Sequence, residues 1–432
     1  MKNISLIAII FLMNGYLICQ TTNWSEIKTG TNKKLNTIDF PTKLVGYIGG
    51  NDSLLLKTTD GGKTWNKINF TGVTFYVVGD KIFSNIVQLK FMDDSNGYMA
   101  TGYNGLYKTT DGGNTWSIIS SVGCITNGLY ALDQNYFFAG GSGCFEGELI
   151  FKLVNGVWNR SVSPQLNTRG KIINFNFLNA NFGLAASTSG LIFRTFDGGN
   201  TWDTITTSIS VKKPQFSFYD PMTSVLVVND KLAYASYKTV KPNVVGGMLI
   251  STDNGLTWQE DKNTAISKGK DFLCLHKNTS GVIFSGGVDA ADTLKGVILE
   301  SSKDLKTWFS TTVSEPINSF ISLNDSVVFA IGNNGYLISK TFRIPLTSQE
   351  FSANELAFSL SPNPVSDVLN IEAPLSNYNL SIVDLNGKII LNIDFVSSLE
   401  KINVFKLLPQ MYIFILLDKK TGSVSRKKFL KI

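Results

Sequence analysis

Side chains able to do chemistry are few and scattered in this chain of 432 residues. The single histidine, His276, follows Cys274 by two positions and Phe272 by four. That spacing predicts all three on one side of a strand, with His276 a structural imidazole rather than a general base. Cys274-x-His276 could hold a metal only with ligands from elsewhere, and no cluster supplies them, so neither a metal nor a cofactor is expected. Glu146, Glu148, Asp289 and Asp292 are isolated acids. Glycoside hydrolysis would need two such groups facing each other about 5–10 Å apart across a cleft. No phosphate loop, dinucleotide fingerprint or Ser-centred elbow occurs. No catalytic residue is assigned.

Binding chemistry has more to offer. Lys212 and Lys213 lie in 206–215, Lys238 and Lys241 in 237–247 beside Tyr237, and neither segment contains an acidic residue. Arg169, Lys171, Lys268 and Lys270 fall in neighbouring connections. These residues predict a docking patch for an anionic glycan or an acidic protein. The net charge of +6 is too small over this length to imply nucleic acid. A charged fraction of 17%, with 43% apolar and 12% aromatic residues, excludes a disordered polyelectrolyte and a coiled coil. Glycine (38) far outnumbers proline (11), as expected of many short strands joined by tight turns.

The elements that must position these residues come from an internal repeat. Thr58-Thr59-Asp60-Gly61-Gly62-Lys63-Thr64-Trp65 recurs as 109–116, with Asp111 and Trp116, and as 195–202, with Asp197 and Trp202. It returns as 251–258, with Asp253 and Trp258. A degraded copy spans 301–308, with Lys303 in place of the Asp and Leu305 in place of a Gly; Asn155-Gly156-Val157-Trp158 is a further relic. The Asp can accept backbone N–H bonds in a tight turn whose positive φ the Gly supplies, and the Trp offers a face to the neighbouring sheet. These Asp residues are structural on this reading. The seven Trp, at 24, 65, 116, 158, 202, 258 and 308, are spaced by about 47 residues, the size of one four-stranded propeller blade. Trp24 has no apolar strand before it, and Gly335-Tyr336-Leu337-Ile338 has no Trp after it. The two orphans predict a ring of seven blades, closed by the N-terminal strand completing the last blade.

The octapeptides resemble Asp-box (BNR) repeats, found in sialidases, sortilin-type receptors, xyloglucan-hydrolysing glycosidases and the photosystem II assembly factor. The resemblance implies a β-propeller over about residues 20–342 and does not specify an activity. A sialidase would need an arginine triad, yet only Arg160, Arg169, Arg194 and Arg343 precede the C-terminal module. Phe342-Arg343-Ile344-Pro345 spells a sialidase-like tetrapeptide, but it follows every repeat instead of preceding them. A xyloglucan-hydrolase cleft needs two propellers. A non-catalytic binding protein is therefore the leading reading, with a glycoside hydrolase of unrecognised type as the alternative.

After a linker, 343–357, the pattern changes. Residues 358–432 open on Ser361-Pro362-Asn363-Pro364 and contain an Asn386-Gly387 hairpin turn, a Leu408…Tyr412 segment and a basic final strand, Arg426-Lys427-Lys428. This resembles the type A C-terminal sorting domain of the type IX secretion system, with Gln410 where the family usually has Gly. It implies a small β-sandwich handled by that machinery and delivery to the cell surface or beyond. Residues 1–19 read as a signal peptide: Lys2, an apolar run over 4–13, then Asn14-Gly15. Lipidation at Cys19 would need a small residue where Ile18 stands. Cys124 and Cys144 are expected on one face of one blade, joined in a disulfide, with Cys274 unpaired and buried. The expected whole is an all-β, monomeric chain: a seven-bladed propeller and a C-terminal sandwich.

Overall fold

The computed structural model describes residues 23–342 and 358–432, apart from 75, 79–80, 84, 103–104, 120–124, 133–135, 144–146, 155, 162–169, 208, 210–220, 239–245, 262–269, 290–291, 325, 375, 385–388, 397 and 421–423. The expected signal peptide, the linker and the Cys124–Cys144 pair lie outside the described residues. The chain divides into two compact units, one ending at Ile344 and the other beginning at Pro345.

Seven four-stranded antiparallel sheets follow one another in the first unit. Their first strands are Leu35–Asp39, Gln88–Phe91, Ile125–Ala131, Ile172–Phe177, Met222–Val227, Lys270–Lys277 and Ile317–Asn324, which open blades 1 to 7. Each of these strands contacts the next, and the seventh contacts the first, so the ring is closed. Blade 7 takes its outer strand from the N-terminus: Ser25 pairs with Ser339 and Glu26 with Ile338. The expected strand exchange is present.

The core is divided into inter-blade clusters, and each cluster contains one of the seven tryptophans. Trp65 packs with Phe329 and Ile331 of blade 7, Trp116 with Tyr47 of blade 1, and Trp158 with Tyr98 of blade 2. Trp202 packs with Phe138 of blade 3, Trp258 with Leu184 of blade 4, and Trp308 with Tyr234 of blade 5. Trp24 fills the remaining place, against Phe284 and Phe320 between blades 6 and 7. The repeat spacing therefore places one large aromatic at each blade junction.

First strands are also laced together by polar side chains. Asn318 Nδ2 donates to the Leu35 carbonyl at 2.8 Å, and Asp39 accepts from the Phe91 N–H at 2.7 Å. Asn174 and Asn176 accept from the N–H groups of Val225 and Val227 at 2.9 and 2.8 Å. Thr223 donates to the Phe272 carbonyl at 2.6 Å. His276 belongs to this lacing, its Nε2 lying 2.7 Å from Ser322 Oγ on the next blade.

One expectation needs correction. A bulge between Phe272 and Cys274 shifts the register, with Phe272 opposite Gly287 and Cys274 opposite Gly286. The extra residue reverses the side-chain alternation, so Phe272 packs toward blade 5 while Cys274 packs toward blade 7. Only Cys274 and His276 share a side. The same bulge recurs in the first strands of blades 1, 3, 4, 5 and 7. Cys274 is a free, buried thiol.

In the second unit, Ser359–Ser361, Val368–Glu372 and Leu399–Asn403 form one sheet. Ile389–Val396, Asn377–Asp384, Met411–Asp418 and Val424–Leu430 form the other, and residues of both build one core that includes Leu369, Ile402, Tyr378 and Phe414. The opening and closing motifs meet here. Asn363 Nδ2 donates to the Lys428 carbonyl at 3.1 Å, while its Oδ1 accepts from the Leu430 N–H at 2.9 Å. The Leu408…Tyr412 spacing also has a physical role, since the Tyr412 hydroxyl donates to the Leu408 carbonyl at 3.1 Å.

Candidate functional site

The octapeptide turns join third strands to fourth strands, which places them on one end of the ring. In the first copy, Asp60 Oδ1 accepts from the N–H groups of Lys63 and Thr64, both at 3.0 Å, and Oδ2 accepts from Thr64 Oγ1 at 2.6 Å. Thr58 Oγ1 donates to Asp60 at 2.8 Å and accepts from the Gly62 N–H at 3.0 Å. Asp111, Asp197 and Asp253 repeat the pattern, each bonded by the hydroxyl of Thr115, Thr201 or Thr257 at 2.6 Å. The Thr115 hydroxyl and N–H lead in drawing Asp111 down to about 2, and those of Thr257 do the same for Asp253. The indoles of Trp65, Trp116, Trp202 and Trp258 donate to the carbonyls of Gly62, Gly113, Gly199 and Gly255 at 3.0–3.2 Å.

The degraded copy is rewired. Asp304, one place late, accepts from Ser302 Oγ at 2.6 Å and from the Lys306 N–H at 3.2 Å. Leu305 takes a φ of +59° where the other copies have glycine, and among the described residues the buried indole N–H of Trp308 has no partner.

The opposite end carries the turns from second to third strands and the connections between blades. Lys238 and Tyr237 lie there, with Lys171 and Lys270 at the starts of their first strands; Lys212, Lys213, Lys241, Arg169 and Lys268 lie outside the described residues. Tyr237 departs from expectation. It ends a fully buried second strand and is 8% exposed, packed with the cluster between blades 4 and 5. Its ring serves the core, leaving Lys238, the exposed residue after it, as the surface group.

A residue missed in the sequence joins Lys238. Lys34 directly precedes the first strand of blade 1, and burial together with the Lys238 ammonium pulls its pKa below the usual lysine value. Blades 1 and 5 are not neighbours in the ring, so the field of Lys238 reaches Lys34 from across the channel rather than along one blade. The available signal was positional: Lys34 and Lys171 both stand immediately ahead of the buried residue that opens the bulge.

Among the four acids, Glu148 joins two blades. Glu148 is 8% exposed and accepts from the Ser187 hydroxyl at 2.7 Å and from Ser189 Oγ, joining blades 3 and 4. A Cβ at Gly170 would lie 2.2 Å from Glu148 Oε1 and 2.6 Å from Ser187 Oγ, so any larger residue there would displace this bonded acid. Asp289 and Asp292 face each other at the tip of the blade 6 hairpin, where Asp292 pairs with Lys295 at 3.4 Å. Glu146 lies outside the described residues. Among the described residues no group of His, Cys, Asp and Glu could hold a metal ion. Burial pushes His276 down to about 4, so the imidazole is neutral at pH 7.

Residues 359–431 match the family described as the secretion system C-terminal sorting domain. The photosystem II assembly lipoprotein Ycf48 of Nostoc sp. is 25% identical over 307 residues, covering 61% of this chain and 84% of that protein. A solved Ycf48 from Cyanidioschyzon merolae superposes with a TM-score of 0.54 at 17% identity, covering 74% of this chain and 98% of that one. Another, described as Ycf48 bound to D1 peptide, gives a TM-score of 0.53 at 17% identity, covering 74% and 96%. Residues 359–431 are thus a secretion system C-terminal sorting domain, and the seven-bladed ring ahead of them is a homologue of the Ycf48 propellers.

Proposed function

We propose that the chain is an exported, non-catalytic binding and assembly scaffold that holds an acidic protein segment over its channel mouth. The carrying observation is the approach of Lys34 and Lys238 across the ring. Burial and the Lys238 ammonium both disfavour the charged form of Lys34, and an anion placed between the two lysines relieves it. Homology to propellers named for assembly, one of them solved with a peptide, favours a protein ligand over a glycan. The photosystem itself does not transfer, because the sorting domain belongs to an unrelated export route. Residues 1–19 would take the chain across the inner membrane, and residues 358–432 would engage type IX secretion for delivery to the cell surface or the medium.

The test titrates the full chain with a polyglutamate peptide and, separately, with a sulfated oligosaccharide. Binding of the peptide should weaken as salt rises and weaken further when Lys34→Gln and Lys238→Gln are combined. Peptide affinity unchanged by the double variant would remove the site from the channel mouth. Preference for the oligosaccharide would replace the protein ligand with a glycan.

A further inference from the structure

The outer strand of each blade is a sheet edge, and an edge templates a further strand unless it is short, charged or covered. Asn66–Lys67, Asp203–Ile205, Gln259–Glu260 and Ser25–Glu26 are short and each contains a charged residue. Val157–Arg160 ends on Arg160. Ser117–Ile119 is uncharged, but the chain passing over its start bridges Thr71 to Thr115, and the Trp116 N–H donates to the Thr71 carbonyl at 3.0 Å. Blade 6 differs. Its outer strand, Trp308–Val313, is six residues long and uncharged, with Phe309 to Thr312 exposed. Phe309 is 59% exposed, and among the described residues no strand pairs with this edge.

Alternation decides which peptide groups face outward. The Ser302 N–H donates to the Thr307 carbonyl at 2.7 Å, and the same register sets Glu300 opposite Phe309 and Ile298 opposite Thr311. Phe309, Thr311 and Val313 therefore direct their peptide groups at the third strand, while Ser310 and Thr312 direct theirs away. On the Ser310 side chain, the hydroxyl accepts from Lys270 Nζ at 2.8 Å.

We propose that this edge pairs with the same edge of a second copy, two-fold and antiparallel, with Thr311 opposite Thr311. That register sets Ser310 opposite Thr312, which matches outward peptide groups with outward ones and forms a favourable cross-strand hydroxyl pair. It also sets Phe309 opposite Val313 and covers the exposed ring. Charge selects a second copy as the occupant: Lys306 precedes the strand and Glu315 follows it, so antiparallel pairing brings each Lys306 toward the other copy's Glu315. The strand itself brings no like charges together. This pairing departs from the monomer expected from sequence and does not depend on the channel-mouth reading.

The test uses the full chain. Thr311→Cys should form an intermolecular disulfide under mild oxidation, because a non-hydrogen-bonded antiparallel pair sets its Cα atoms about 4.5 Å apart. Phe309→Cys should not, since this register places it opposite Val313; the wild-type chain sets the background from the native cysteines. Sedimentation should show a dimer that grows with concentration. Thr312→Pro and Thr312→Lys should each weaken it about tenfold or more at an unchanged melting temperature, because the outward N–H bonds nothing inside the blade. A wild-type chain monomeric up to about 1 mM would overturn the proposal. So would association indifferent to both Thr312 variants, or Phe309→Cys cross-linking as readily as Thr311→Cys.

Discussion

Trp24 meets Phe284 edge-on, with ring centroids 6.2 Å apart and planes at 82°. One residue comes from the start of the chain and the other from blade 6, so this contact forms only when the ring closes. Trp24→Ala should lower unfolding free energy by about 2–3 kcal/mol, less than a full core truncation because the indole is partly exposed. Chemical denaturation would show it as a lower midpoint. A Trp24→Ala midpoint equal to wild type would mean that the N-terminal strand does not hold the ring shut.

The octapeptide carboxylates should each stabilise their own turn. Asp253→Ala removes acceptors for the Thr257 N–H and hydroxyl and for Ser251 Oγ, and should cost about 1–2 kcal/mol. These turns lie on the end of the ring away from Lys34 and Lys238, so polyglutamate affinity should not change. Lost affinity at wild-type stability would give the turns a role in ligand binding instead.

The ring was readable in the sequence because its signals are local. An Asp bonded to residues three and four positions on needs only its own octapeptide, so the motif repeats with recognisable spacing. Trp24 and Gly335–Ile338 could be matched because each lacked what the other had. The bulge after Phe272 was not readable, since it is defined by pairing with Gly286 and Gly287 on another strand, and it reversed the predicted side of Phe272. Tyr237 looked like a surface aromatic beside lysines, but it ends a second strand that neighbouring blades cover on both faces, so its ring is buried. Lys34 could not be found by charge clustering, because its approach to Lys238 exists only after non-neighbouring blades meet around one channel.

Two groups of titrations should appear in the pH dependence of stability. His276 has its folded pKa lowered to about 4 by burial, below the unfolded value of about 6.5. The unfolded chain then binds the proton first, so stability should fall as pH drops from about 6.5 to 4. Asp111 and Asp253 are held near 2 by hydrogen bonds led by Thr115 and Thr257, against an unfolded value of about 3.9. Their contribution is present above the unfolded pKa and should be lost as pH falls from about 3.9 toward 2. His276→Gln should flatten only the upper range, and Asp111→Asn with Asp253→Asn only the lower. An upper range that survives in His276→Gln would assign that titration to another group.

Asn363 links the opening motif of the sorting domain to its final strand through the Lys428 carbonyl and the Leu430 N–H. Val365 and Ile432 continue the attachment, with the Ile432 N–H on the Val365 carbonyl at 2.9 Å. Asn363→Ala removes both side-chain bonds and should lower the stability of the C-terminal unit by about 1–2 kcal/mol. The two units have separate cores, so calorimetry of the full chain should show the sorting-domain transition move down while the propeller transition stays in place. Asn363→Asp keeps the acceptor for Leu430 but loses the donor to Lys428, and should fall between wild type and Ala. A propeller transition that moves with Asn363→Ala would show that the units unfold together and that Asn363 stabilises more than its own domain.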